Sequence, residues 1–240
     1  MRPVLLRVGG RNVYAYATFL YLGLVAGVYG GAAAAASAGL DPADFTLATL
    51  VLIGPALAGA RVWFVLGNRD AFRGDWKRVA ARWQGGAAMY GGFLIGVPLS
   101  IPLLRALDLP FGAYWDAASV TLMAGMALTR VGCLLNGCCA GRATERWFGL
   151  VLPAHGSVRC RRAPTQILEG ASALLLLALI VALRPHEPFA GAVFLLTIAG
   201  YGASRVALEP LRERGREGNR VTSLAFVAVA LAALVAAWLW

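Results

Sequence analysis

Charge is what this sequence has least of. Only 14% of its 240 residues are charged, against about 25% in an ordinary soluble domain, which excludes a globule with a fully charged shell. Lysine is nearly absent: Lys77 is the only one, so the positive charge is carried by arginine. The planar arginine fork suits phosphate, although a GC-rich coding sequence produces the same bias. Alternation of apolar and polar residues with period two is missing, which argues against a membrane β-barrel. There is no internal repeat and no low-complexity linker, so residues 1–240 read as a single domain. The first apolar run lacks a small-residue cleavage site followed by a soluble segment, and no cleavable leader is expected.

What the chain does contain is apolar surface. It is 59% hydrophobic, with a mean hydropathy of +0.67. A membrane span needs about 20 mostly apolar residues, and this composition points to a multi-pass membrane protein. A net charge of +10 would ordinarily raise nucleic acid as a partner. Here the charges sit in short loops between apolar runs, so anionic membrane lipids are the expected partner and nucleic acid is not.

Seven runs follow one another: Asn12–Leu40, Phe45–Gly67, Trp83–Leu104, Ala117–Gly141, Ala163–Leu183, Pro188–Ser204 and Val221–Trp240. Lipid offers backbone groups no partners, so each is read as a helix and the fold class as all-α, with seven spans around a polar lipid-binding cavity. Gly23-x-x-x-Gly27 and Gly92-x-x-x-Gly96 have the spacing that lets helices pack closely. With the up-and-down order of seven spans, every basic residue except Arg105 and Arg184 falls on one face. The positive-inside rule would make that face cytoplasmic.

Polar residues unusual for spans fall toward that same face: Tyr14, Tyr16, Arg61, Tyr90, Arg130, Asn136, Gln166, Glu169, Tyr201, Arg205 and Glu209. Structural accidents would scatter between the faces. A charge at mid-bilayer costs at least about 2.5 kcal/mol on insertion scales, so charges there usually face an interior cavity. Individually each has a plainer reading. Arg61 could snorkel to headgroups, Arg205 and Glu209 could form an i,i+4 pair, Glu169 could cap a helix start, and the tyrosines could belong to an interfacial belt. Together they favour a pocket for an anionic headgroup.

These residues resemble the phosphatidylglycerol–prolipoprotein diacylglyceryl transferase family, in order, from about Pro3 to Glu217. The stretch Thr129–Arg142, TRVGCLLNGCCAGR, is similar to the signature G-R-[IL]-G-[NC]-[FL]-x-N-G-x-x-x-G-R. Arg130, Gly132, Cys133, Asn136, Gly137, Gly141 and Arg142 match it, and Thr129 replaces the leading glycine. Tyr201, Arg205 and Glu209 match Y-G-x-x-R-x-x-x-E. Met89–Gly96 resembles the H-G-G-L-I-G segment, Pro164–Glu169 resembles P-[ST]-Q-L-Y-E, and Tyr16 fits a tyrosine near the first helix.

The resemblance implies transfer of a diacylglyceryl group from phosphatidylglycerol to the lipobox cysteine of a secreted precursor, with release of glycerol-1-phosphate and without metal or nucleotide. It implies that Arg130 and Arg205 clamp phosphate, with Glu209 orienting Arg205 and Tyr90 also at the reacting centre. Tyr16, Arg61, Asn136, Gly137, Gly141, Arg142, Gln166, Glu169 and Tyr201 would bind substrate. It also implies a bacterial cytoplasmic (inner) membrane location with the site toward the outer face. That opposes the charge count, and the expectation follows the resemblance, because arginines recruited to bind lipid phosphate distort such a count. Departures from the pattern are Tyr90 for the family histidine, Ala163 for a second histidine, Leu168 for a tyrosine, and a short Arg142–Ala163 loop. They keep two other readings open: another thiol or lipid acceptor, or a non-catalytic phospholipid-binding protein. His155 is a candidate substitute base.

Cys133, Cys138, Cys139 and Cys160 fall on the polar face. Their spacing lacks the paired C-x2-C knuckles of structural zinc sites. A disulfide from Cys160 to Cys138 or Cys139 and a lipid-carrying thiol are alternatives. The default expectation is that small polarisable residues fill tight helix packing.

Overall fold

The computed structural model describes residues 3–72, 89–153, 159–212 and 218–239. Among them, seven helices are long and apolar enough to cross a membrane, so the chain is an all-α, multi-pass membrane protein. They are α1 (Ala15–Ser37), α2 (Pro42–Gly67), α3 (Met89–Ala106), α4 (Phe111–Asn136), α5 (Thr165–Leu183), α6 (Ala192–Leu208) and α7 (Gly218–Leu239). Sheet is confined to two antiparallel hairpins, β1 (Val4–Val8) with β2 (Arg11–Tyr14), and β3 (Leu150–Pro153) with β4 (Arg159–Arg162). The chain divides into two compact units, Met1–Ala34 with Trp115–Trp240, and Ala35–Tyr114.

Several boundaries differ from the hydropathy reading, each for a local reason. The first span begins at Ala15 and not at Asn12, because left-handed Gly9 and Gly10 turn Val4–Val8 back onto Arg11–Tyr14. The fourth begins at Phe111, six residues before Ala117. The charge of Asp116 ends the uncharged run in the sequence, yet the residue lies inside the helix, 1% exposed, with its carboxylate accepting from the Gly191 and Phe194 amides. Those amides are orphans at the start of α6, and an acidic group there also meets the positive end of the helix dipole. The same helix stops at Asn136 and not Gly141, because Gly137 takes a left-handed φ of 74°. The sixth helix runs on to Leu208 and includes Arg205. The expected start of the third span, Trp83 to Ala88, lies outside the described residues.

In the unit Ala35–Tyr114, Asp41 caps α2 by accepting from the amides of Ala43 and Asp44. The Phe45 and Tyr114 rings pack 5.2 Å apart, and Thr49 Oγ1 meets the Tyr114 hydroxyl at 3.1 Å. In the other unit, α1 packs backbone to backbone on α4. A Cβ on Gly23 would sit 2.9 Å from the Gly125 carbonyl oxygen and one on Gly27 would sit 2.6 Å from that of Thr121. This is the close approach that small-residue spacing permits. In α3, Gly92 faces the Ala56 carbonyl, but the tighter contact is between Gly91 and Gly59. Large apolar side chains such as Leu175, Val181, Val229 and Leu231 remain exposed along the spans, as expected of surfaces whose solvent is lipid.

Candidate functional site

The polar residues of the larger unit gather where the C-terminal ends of α4 and α6 meet the start of α5. Their centre is Glu169, in the first turns of α5 and 5% exposed. Its Oε2 lies 2.6 Å from Arg130 Nη2, its Oε1 accepts from Arg205 Nη1 at 2.8 Å, and it also accepts from Arg212 Nη1. Arg130 comes from α4, Arg205 from α6, and Arg212 from the chain just after the short 3-10 turn Glu209–Leu211. All three guanidinium side chains are largely buried, at 15%, 8% and 15% exposed.

Arg130 and Arg205 share this one carboxylate, which leaves a positive charge over among these three side chains. Burial makes such a surplus costly unless a further anion joins it. The Nε groups of Arg130 and Arg205 are buried, with no hydrogen-bond partner among the described residues. Orphaned buried donors are rare in folded proteins and call for an explanation. Here they are the sites an anionic ligand would fill, and paired guanidinium donors match phosphate geometry.

Local sequence explains how the pieces are held. After Gly137 the chain doubles back through Cys138 and Cys139, the latter with a φ of 63°. Gln166 Nε2 donates to the Cys138 carbonyl at 2.8 Å, and Thr165 Oγ1 donates to that of Cys139 at 2.7 Å. The start of α5 is thereby tied to the end of α4. Gly141 lies against the Leu211 carbonyl and Ala163, closer than any Cβ would allow. Around it, Gly141 N donates to Ala163 O, Arg142 N donates to Leu211 O, and Ala163 N donates to Arg142 O, all within 3.0 Å. The glycine therefore brings the segment carrying Arg212 up to the signature loop.

The other expected site residues divide clearly. Gln166 is 1% exposed, and its Oε1 has no hydrogen-bond partner among the described residues. Tyr16, on α1, packs its backbone against Gly132 and lies within electrostatic reach of Arg130 and Cys133. Tyr201 is buried on α6 within reach of Arg130. Asn136 is exposed at the end of α4, beside the Cys138 thiol. The Arg142 side chain is exposed, and its contribution shown here is through the backbone. The carboxylate holding Arg205 is Glu169, not Glu209, which stands half-buried where α6 tightens into the 3-10 turn. Arg61 and Tyr90 belong to the unit Ala35–Tyr114. There the Arg61 guanidinium lies over the Phe64 and Phe72 rings, and Tyr90 is 4% exposed. His155 lies outside the described residues.

Two features went unread in the sequence. Arg212 falls among other charged residues between the last two apolar runs, and its place three residues beyond Glu209 is its one signal in the sequence. The second feature is a thiol cluster. The Sγ atoms of Cys133, Cys138 and Cys139 lie within 4.8 Å of one another. All four cysteines are free, and Cys160 accepts from Arg162 Nε at 3.3 Å. Cys139 is exposed. The adjoining Cys133 and Cys138 thiols, with the Arg130 and Arg212 charges in addition, hold its thiol below the usual range.

Fold and site together define a multi-pass membrane protein with a buried arginine cluster at one end of a helical unit. Residues 3–239 match the family described as prolipoprotein diacylglyceryl transferase. Three curated relatives bear the name phosphatidylglycerol–prolipoprotein diacylglyceryl transferase. One from Geobacter sulfurreducens is 30% identical over 88% of this chain and 82% of its own. One from Streptococcus pyogenes is 26% identical over 100% and 91%. One from Oceanobacillus iheyensis is 27% identical over 87% and 76%. This chain belongs to the prolipoprotein diacylglyceryl transferase family.

Proposed function

We propose that this chain transfers a diacylglyceryl group from phosphatidylglycerol to the lipobox cysteine thiol of secreted prolipoproteins, releasing glycerol-1-phosphate. The observation that carries the reading is the set of three guanidinium groups held on Glu169, with buried Nε donors left over on Arg130 and Arg205. Family membership and the substrates in its relatives' names support it.

In the reaction, the acceptor sulfur attacks the terminal glyceryl carbon. The S–C bond forms as the C–O bond to phosphate breaks, the electron pair stays on the phosphate oxygen, and the thiol proton leaves with the phosphate monoester. Arg130, Arg205 and Arg212 bind the phosphate and offset the charge gathering on it, the kind of preorganised stabilisation that usually supplies the largest share of catalysis. Glu169 is a positioning residue, since it fixes the three guanidinium planes before substrate arrives. Gln166 Oε1, a buried acceptor, takes a glycerol hydroxyl, and Asn136 serves the same headgroup from the rim. Tyr16 and Tyr201 flank Arg130. The protein sits in the bacterial inner membrane with this end of the unit toward the outer face, where secreted precursors emerge.

The test is to supply purified protein in phosphatidylglycerol vesicles with a lipobox peptide and follow the diacylglyceryl mass increment and glycerol phosphate release. Both are expected, and both are expected to vanish in Arg130→Ala. Lipid binding without either product, under conditions where a relative turns over, overturns the reading.

A further inference from the structure

We propose that Cys133, Cys138 and Cys139 form a three-thiolate site for a thiophilic d10 cation of the Zn(II) or Cu(I) class, with its fourth position open to an outside thiol. The three Sγ atoms already lie within 4.8 Å of one another. A tetrahedral zinc site with Zn–S bonds of about 2.3 Å places its sulfurs about 3.8 Å apart, so closing around an ion takes movements of an ångström or less. Sulfur ligands select soft and borderline d10 ions over magnesium or calcium.

The backbone is shaped for convergence. Cys133 sits in the last turns of α4, and the left-handed residues Gly137 and Cys139 fold the following loop back over it. Thr165 and Gln166 then hold the Cys139 and Cys138 carbonyls, a supporting shell of the kind that fixes metal ligands in place. Three thiolates around a divalent ion carry a net negative charge, and Arg130 and Arg212 act electrostatically on Cys139. Among the described residues no further cysteine, histidine or carboxylate joins the group. Three protein ligands with a vacant fourth position are the pattern of ions that bind substrate, and closed four-ligand sets are that of structural ones. Cys139 is exposed, which leaves the cluster an approach from outside the helices.

The experiment uses the full chain in detergent, reduced, freed of reductant and kept anaerobic, and titrates it with Co(II) alone. We expect thiolate charge-transfer and tetrahedral visible bands that saturate at one ion per chain, are bleached by equimolar Zn(II), and shift when mercaptoethanol is added. Cys138→Ser and Cys139→Ser, in the loop outside the helix, are expected to lose the bands, whereas Cys160→Ser keeps them. Absence of bands in the unaltered protein, or their persistence in the Cys138→Ser/Cys139→Ser double variant, overturns the site. So does a disulfide between any two of the three cysteines in protein isolated anaerobically. Bands that mercaptoethanol leaves unshifted overturn the open position. None of these readouts depends on diacylglyceryl transfer, so the site and the proposed function stand or fall separately.

Discussion

Arg205 and Glu169 lie thirty-six residues apart in the chain, yet Arg205 Nη1 donates to Glu169 Oε1 at 2.8 Å in a buried contact. The carboxylate one turn from Arg205 in sequence, Glu209, is not the one that holds it. A single acidic residue at the start of α5 thereby organises arginines from three separate segments, and removing it has a calculable effect.

Replacement of Glu169 by Gln removes the carboxylate that the buried Arg130 and Arg205 guanidinium groups share. Breaking a buried pair by deleting one partner costs about 3–5 kcal/mol. The variant is expected to unfold at lower temperature in detergent and to lose transfer activity. Added phosphatidylglycerol should recover part of the midpoint, because its phosphate supplies the missing negative charge; a shift no larger than in the unaltered protein would count against this electrostatic account.

Arg212→Ala removes the guanidinium that reaches Glu169 from the chain just after the 3-10 turn. Loss of one preorganised donor to a developing anion lowers kcat by about a hundredfold or more in comparable sites. The same loss is expected here, with a smaller change in Arg212→Lys, which keeps the charge but not the fork. Steady-state kinetics of peptide modification measure it.

Gly141→Ala places a methyl group against the Leu211 carbonyl and within 2.9 Å of the Ala163 Cβ. Overpacking of this kind costs about 1–3 kcal/mol. Since the Leu211 carbonyl accepts from Arg142 N, the displacement reaches the neighbouring Arg212, and a rise in KM for phosphatidylglycerol is expected alongside the lower melting temperature.

At the opposite ends of the same helices, Asp116→Ala leaves the Gly191 and Phe194 amides without their acceptor. Buried donors left unsatisfied cost about 1–3 kcal/mol each. The expected result is faster amide exchange at the start of α6 with affinity for phosphatidylglycerol unchanged, which separates stability from the lipid site.

Glu187 gives a pH dependence. Burial, followed by the nearby Asp116 charge, raises its carboxyl above the ordinary range. The folded protein therefore holds this proton more tightly than the unfolded chain, and its contribution to stability falls as pH rises from the ordinary carboxylate range through the folded value. Glu187→Gln removes that ionisation. Its melting temperature is expected to exceed that of the unaltered protein near about pH 7, with the gap closing near about pH 4.

Span number and helical class could be read from the chain itself, and Arg130, Glu169 and Arg205, which stand out there as unusual charges, lie together in the structure. Hydrophobic length needs no tertiary information when the solvent is lipid, because every backbone group must be satisfied within its own helix. An arginine inside an apolar run is costly enough to mark itself, as Arg130 does. Pairing was another matter. Spacing along α6 put Glu209 beside Arg205, but three-dimensional packing put Glu169 there, since a buried guanidinium goes to whichever carboxylate shares its desolvated space. The convergence of Cys133, Cys138 and Cys139, the recruitment of Arg212, and the burial of Asp116 inside α4 were likewise decided by the tertiary structure. Each depends on a backbone reversal or on an amide from a distant helix end, neither of which has a signature in one-dimensional spacing.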